Sequence, residues 1–228
     1  MATTQKLNAE STTPSARIKK ILARLEKVHP DAKLALDFTN PLELLIALIL
    51  AAQARDDLVN KITVDLFKTY RSAADYANAP PALLEKQIGK INFYRNKAKS
   101  IHNCCKELVE RFGGQVPDNL NDLVSLPGVG RKTANIVLGN AFGQQTIGVD
   151  THVMRLSQRL GFTKKTDPDK IEADLTEIVP EKQRVRFCHL MQYHGRRVRR
   201  QKAKVSAVHD QRSVSVFGKN EISFGAIR

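Results

Sequence analysis

The stretch Leu126-Pro127-Gly128-Val129-Gly130-Arg131-Lys132-Thr133-Ala134 decides how the rest of the chain is read. A helical pattern ends near Ser125, and two glycines permit a tight turn with positive φ. A second apolar pattern (Ala134, Ile136, Val137, Leu138, Ala141) begins at once. Such a turn leaves the N–H groups of Gly128 and Gly130, and those of the helical turn that follows, without carbonyl partners. They point outward at a helix N-terminus, where an anion is favoured. Neither glycine has a Cβ to keep a polynucleotide strand away from the backbone. Pro-Gly-x-Gly is also an ordinary corner between two helices. Arg131 and Lys132 directly after it, in a basic chain, favour the phosphate reading.

Outward from this hairpin the periodicity is helical throughout. From Ser15, residues Ile18, Ile21, Leu22, Leu25 and Val28 share one face, and Pro30 stops the run. Asn40-Pro41 reads as an N-cap and first helical residue, and Asp167-Pro168 repeats the signal. Behind Pro41, the segment LELLIALILAAQA is apolar nearly all round, as at the centre of a bundle. Amphipathic stretches follow over 57–69, 81–89, 94–112, 119–126, 130–142, 151–160, 168–179 and 181–195. No alternating strand pattern and no Asn-Gly or Asp-Gly hairpin occurs. The fold class is all-α, a bundle of about ten helices with short links.

Composition narrows the function. The 228 residues carry 37 Lys and Arg against 23 Asp and Glu, a formal net charge of +14, which points to a polyanionic partner. Half of that excess falls in residues 194–228, whose centre, RRVRRQKAK, spans residues 196–204; the segment reads as a solvated tail, a phosphate contact, or both. Three cysteines, two of them adjacent, make no disulfide framework, so a reducing compartment is expected. The apolar run from Leu44 to Ala52 is about half of a bilayer span, and the N-terminal segment has no h-region. The expectation is a soluble, basic, intracellular protein with a polyanionic partner and no membrane.

The hairpin resembles the helix–hairpin–helix motif. With VDTHV at residues 149–153 it resembles the endonuclease III family of DNA glycosylases. Further segments match in order: LLIALILAAQARD (44–56), FYRNKA (93–98) and MQYHGR (191–196). The resemblance implies two helical domains with a DNA-binding cleft between them, in a cytoplasmic, nucleoid-associated bacterial monomer that binds damaged double-stranded DNA. A six-helix domain over 34–147 holds the hairpin; a terminal domain combines 15–33 with 148–198. Residues 1–14 are expected to be a disordered tail and 199–228 a basic one.

The resemblance also implies the chemistry. The family's lyase members carry a lysine where Lys132 stands and an aspartate where Asp150 stands. A neutral amine can attack the C1′ of a damaged nucleotide, displace the base and become a Schiff base, after which β-elimination nicks the strand. A free lysine with a pKa of ~10.4 is neutral in roughly one molecule of a few thousand at pH 7. A helix dipole supplies only ~0.3–1 kcal/mol, so desolvation in the closed complex must supply most of the shift. Asp150 is suited to accept a proton and to stabilise positive charge on the sugar; taken alone, it also reads as an N-cap. A flipped base leaves a hole in the stack. The family fills it with a glutamine, here Gln53, and an apolar wedge, here Phe93, although Asn92 replaces the usual preceding glycine. The hairpin residues Gly128, Val129, Gly130 and Arg131 are expected at DNA. Asp56, His152 and Arg155 match family positions in supporting roles, the latter two at the DNA.

Most members carry a [4Fe–4S] cluster on four cysteines after the His-Gly pair. In that register this chain places Arg199, Ser206, His209 and Ser215, and no cysteine follows Cys188, so no cluster and no metal site is expected. The leading function is a bifunctional DNA glycosylase and AP lyase that removes oxidised pyrimidines. Its rivals are a helix–hairpin–helix module that grips DNA without catalysis and a monofunctional purine glycosylase. Lys132 argues against the latter, because monofunctional relatives activate water and lack that lysine.

Overall fold

A computed structural model describes residues 13–198, and among them there is no β-strand. Eleven α-helices follow one another: α1 (Pro14–Val28), α2 (Pro41–Ala51), α3 (Asp56–Thr69), α4 (Ala73–Asn78), α5 (Pro81–Gln87), α6 (Tyr94–Phe112), α7 (Leu120–Ser125), α8 (Arg131–Ala141), α9 (Thr151–Arg159), α10 (Pro168–Ile178) and α11 (Arg184–Arg197). A single 3-10 turn, Glu181–Gln183, leads into α11. The all-α expectation holds.

Side-chain caps start several of the helices. Thr13, Asn40 and Asp167 each accept an N–H from the first turn through a side-chain oxygen, and each precedes a proline at N1. The first of these three signals shifts the start of α1 to Pro14, within the segment expected to be a tail. At α2 the Glu43 carboxylate also accepts the Thr39 N–H at 2.6 Å. Residues 44–50 of this helix are all buried. α2 packs against α3, α6 and α8, as expected of a helix that is apolar all round.

The periodicity missed α4. Its signal is a capping box: Ser72 accepts the Asp75 N–H while Asp75 accepts the Ser72 N–H at 2.9 Å. α4 lies along α6, and its Tyr76 is fully buried and stacks on Tyr70 with ring centroids 4.7 Å apart.

Two apolar cores result. One gathers buried residues from α2 to α8, from Leu36 to Leu138; with α4, seven helices feed it rather than six. The other joins Ile18, Leu22 and Leu25 of α1 to residues of α9, α10 and α11, such as Val153, Ile171 and Leu190. Ile147 already packs in this second core, one residue before the expected boundary. Between the cores, residues 146–148 run along α8. The Asn135 amide donates to the Ile147 carbonyl at 3.1 Å, and Thr146 Oγ1 donates to the Asn135 carbonyl at 2.6 Å.

Candidate active site and nucleic-acid interface

The turn between α7 and α8 uses its two glycines differently, with positive φ at only one of them. Gly128 has φ +80°, and a Cβ there would lie 2.9 Å from Ser100 Cβ on α6. Gly130 is the extended N-cap of α8, with φ −91° and nothing within 4 Å of a built Cβ. The Val129 N–H donates to the Leu126 carbonyl at 3.1 Å, and its side chain is in the first core. The N–H groups of Gly128, Gly130, Arg131, Lys132 and Thr133 have no acceptor among the described residues. Together they form an open donor cluster at the positive end of an 11-residue helix.

Lys132 is exposed in the first turn of α8. Gly148 brings Asp150 to the same end of that helix. A Cβ on Gly148 would stand 2.8 Å from Ile136 Cγ1 and 3.5 Å from the Lys132 carbonyl oxygen, so only glycine lets the chain pass so close to α8. Asp150 is indeed an N-cap: Oδ1 accepts the N–H groups of His152 and Val153 at 2.9 and 2.8 Å. Its other oxygen takes no hydrogen bond among the described residues. The cap therefore fixes the carboxylate and leaves one oxygen for other chemistry.

Arg131 is differently engaged. Its Nε and Nη2 donate to Glu172 of α10 at 2.9 and 2.8 Å, and Asp169 lies 3.8 Å away. Glu172 also accepts the Asn135 amide at 2.8 Å. His152 and Arg155 face α11. A Cβ on Gly195 would fall 2.8 Å from His152 Cβ, and Arg155 Nη2 donates to the Gly195 carbonyl at 2.6 Å. Asp56, at the start of α3, pairs with Arg196 of α11 at 2.6 Å.

Gln53 and Phe93 share a property that no periodicity shows. They are the two non-glycine residues with positive φ among the described residues, at 56° and 60°. Gln53 is exposed just beyond α2, and Phe93 is 60 % exposed at the N-cap of α6. Left-handed backbone at side chains of this size costs about 1–3 kcal/mol and clusters where geometry serves a site. At that exposure Phe93 is not a core aromatic.

Residues 46–181 match the HhH-GPD superfamily of base excision DNA repair proteins. The chain belongs to that superfamily. Endonuclease III from Synechocystis sp. is 47 % identical over 183 residues, which cover 80 % of this chain and 84 % of the relative. Endonuclease III from Escherichia coli K12 is 41 % identical, covering 77 % and 83 %. A trapped endonuclease III–DNA covalent intermediate superposes with TM-score 0.77 at 44 % identity, over 80 % of this chain and 86 % of that one. These likenesses make this superfamily member a base excision repair DNA glycosylase with AP lyase activity.

The iron–sulfur cluster that the resemblance implies would need four thiolates. The four register positions lie outside the described residues and include no cysteine. The chain's three thiols are buried in the two cores, and burial pushes Cys104 and Cys188 up to about 12 and Cys105 higher still. Clusters need thiolates, so these are poor donors. Among the described residues no group of three His, Cys, Asp or Glu side chains could hold a metal ion, and no helix is long and apolar enough to cross a membrane.

Proposed function

We propose that Lys132 is the nucleophile and Asp150 the carboxylate partner of a lyase reaction on oxidised pyrimidines in duplex DNA. The observation that carries this reading is the close pass of Gly148 along α8, which puts both residues at one helix end beside the open N–H groups. The donor cluster holds a backbone phosphate, and Phe93 and Gln53 occupy the stack vacated by the flipped nucleotide. The neutral Lys132 amine bonds to C1′ as the bond from C1′ to the base nitrogen breaks, and the leaving base takes up a proton. Opening of the sugar ring gives the iminium. Loss of a 2′ proton then expels the 3′ phosphate, and water finally releases the lysine. The open oxygen of Asp150 serves as proton acceptor and stabilises the cationic sugar.

Borohydride trapping on a duplex with an abasic site tests the assignment. Wild type is expected to form a covalent adduct; Lys132→Ala and Lys132→Arg are expected to form none. A wild type without adduct would leave the hairpin as a phosphate grip alone. The bacterial relatives and the charge of the chain support action on the bacterial nucleoid in the cytoplasm. The thiol-free register supports activity without an iron–sulfur cluster. Iron analysis and absorbance near 400 nm check that part.

A further inference from the structure

Lys97, in the first turn of α6, is only 6 % exposed. Its Nζ donates to the carbonyls of Leu50 and Ala52 at 2.9 and 2.5 Å. Those carbonyls lie at the C-terminal end of α2, directly before Gln53. The Lys97 backbone N–H donates to the carbonyl of Phe93 at 3.1 Å. One residue thus bonds next to both left-handed positions, to the residues just before Gln53 through its ammonium and to Phe93 itself through its amide. Leaving water disfavours the ammonium and lowers its pKa. A buried lysine on two carbonyls is a costly choice for closing a helix end that an exposed residue or solvent could satisfy.

We infer that Lys97 is a positioning residue that locks the Gln53 and Phe93 loops into one preset device for holding an extrahelical nucleotide. The inference rests on the reading of Gln53 and Phe93 as stack-filling residues. The end of α2 presents partial negative charge, and the ammonium answers it while fixing the carbonyls on either side of Ala51. Without that anchor Gln53 can relax out of its left-handed conformation, and the plug must be reordered each time a nucleotide leaves the stack. The benefit then depends on how much stacking and pairing have to be broken. This dependence distinguishes positioning from general support of the fold.

The test compares an abasic site in a fully paired duplex with the same site inside an unpaired bubble flanked by duplex. Single-turnover β-elimination is measured for wild type, Lys97→Met and Lys97→Gln, with thermal unfolding as a check on folding. Lys97→Met is expected to lose about 10- to 100-fold on the paired duplex and less than about threefold on the bubble. Lys97→Gln keeps a donor for one carbonyl, folds more readily, and should show a smaller loss with the same asymmetry. In a Gln53→Ala background, Lys97→Gln should add less than about half of its single-variant effect on the logarithmic scale. Equal losses on both substrates, no loss on the paired duplex, or full additivity with Gln53→Ala would overturn the inference. Failure of wild type to react on either substrate would instead overturn the lyase reading and is seen in the same assay.

Discussion

Arg131 and Glu172, 41 positions apart, form a two-pronged ion pair that ties the first turn of α8 to α10. The arginine beside the proposed nucleophile is thus held by a carboxylate from the other core, and its pull on a phosphate is partly offset. Glu172 simultaneously accepts the Asn135 amide, so the same carboxylate braces the segment that leads to Asp150.

Glu172→Ala should therefore have two opposite effects. Stability should fall by about 1–2 kcal/mol, a modest figure because the Arg131 side chain is substantially exposed. The freed guanidinium should steepen the log–log salt dependence of DNA binding by up to about 0.9. Urea unfolding and a salt titration of binding measure the pair.

Cap and chemistry at Asp150 can be separated by two substitutions. Asp150→Asn keeps an oxygen for the N–H groups of His152 and Val153, so stability should stay within about 0.5 kcal/mol while β-elimination falls by about 100-fold or more. Asp150→Ala should lose the activity and also about 1 kcal/mol of stability. Single-turnover rates set beside thermal melts check both.

The hairpin glycines should also part company. Gly128→Ala meets positive φ and Ser100 together, and a loss of about 2 kcal/mol is expected in denaturant unfolding. Gly130→Ala meets neither, so the fold should keep its stability. A fall in DNA affinity of about tenfold for Gly130→Ala would report the close approach of a phosphate to the N-cap.

A pH effect follows from the histidines where α1 meets α11. Desolvation, with help from His29 and Arg197, pushes His194 down to about 4, and desolvation also lowers His29. A histidine depressed in the folded state takes up its proton on unfolding. Stability is therefore full above the unfolded value of about 6.5 and declines as pH falls from there toward about 4, by up to about 1.4 kcal/mol per pH unit for each proton taken up. Urea midpoints between pH 7.5 and 4.5 should trace this slope, and His194→Gln should flatten it.

Much of this was legible along the chain because it is local. Proline after a capping side chain announced α2 and α10, and the glycine-flanked turn announced α8. Ser72 and Asp75 carried the equivalent signal for α4, but six residues are too few for periodicity to register. The extended φ of Gly130 was hidden, since glycine permits either sign. The partners of Arg131, Asp56 and Lys97 could not be read at all. A lysine in an amphipathic helix looks solvated until the end of α2 is seen lying over it.

Three graduations stand on a single rod, α6: Phe93 at its tip, Lys97 one turn on against the Gln53 loop, and Ser100 under Gly128 of the hairpin. The proposed wedge, plug and phosphate cradle are thus gauged from one ruler. Adaptation to a differently shaped lesion has to happen around the extruded nucleotide, because bending the first two turns of α6 would miscalibrate all three marks at once.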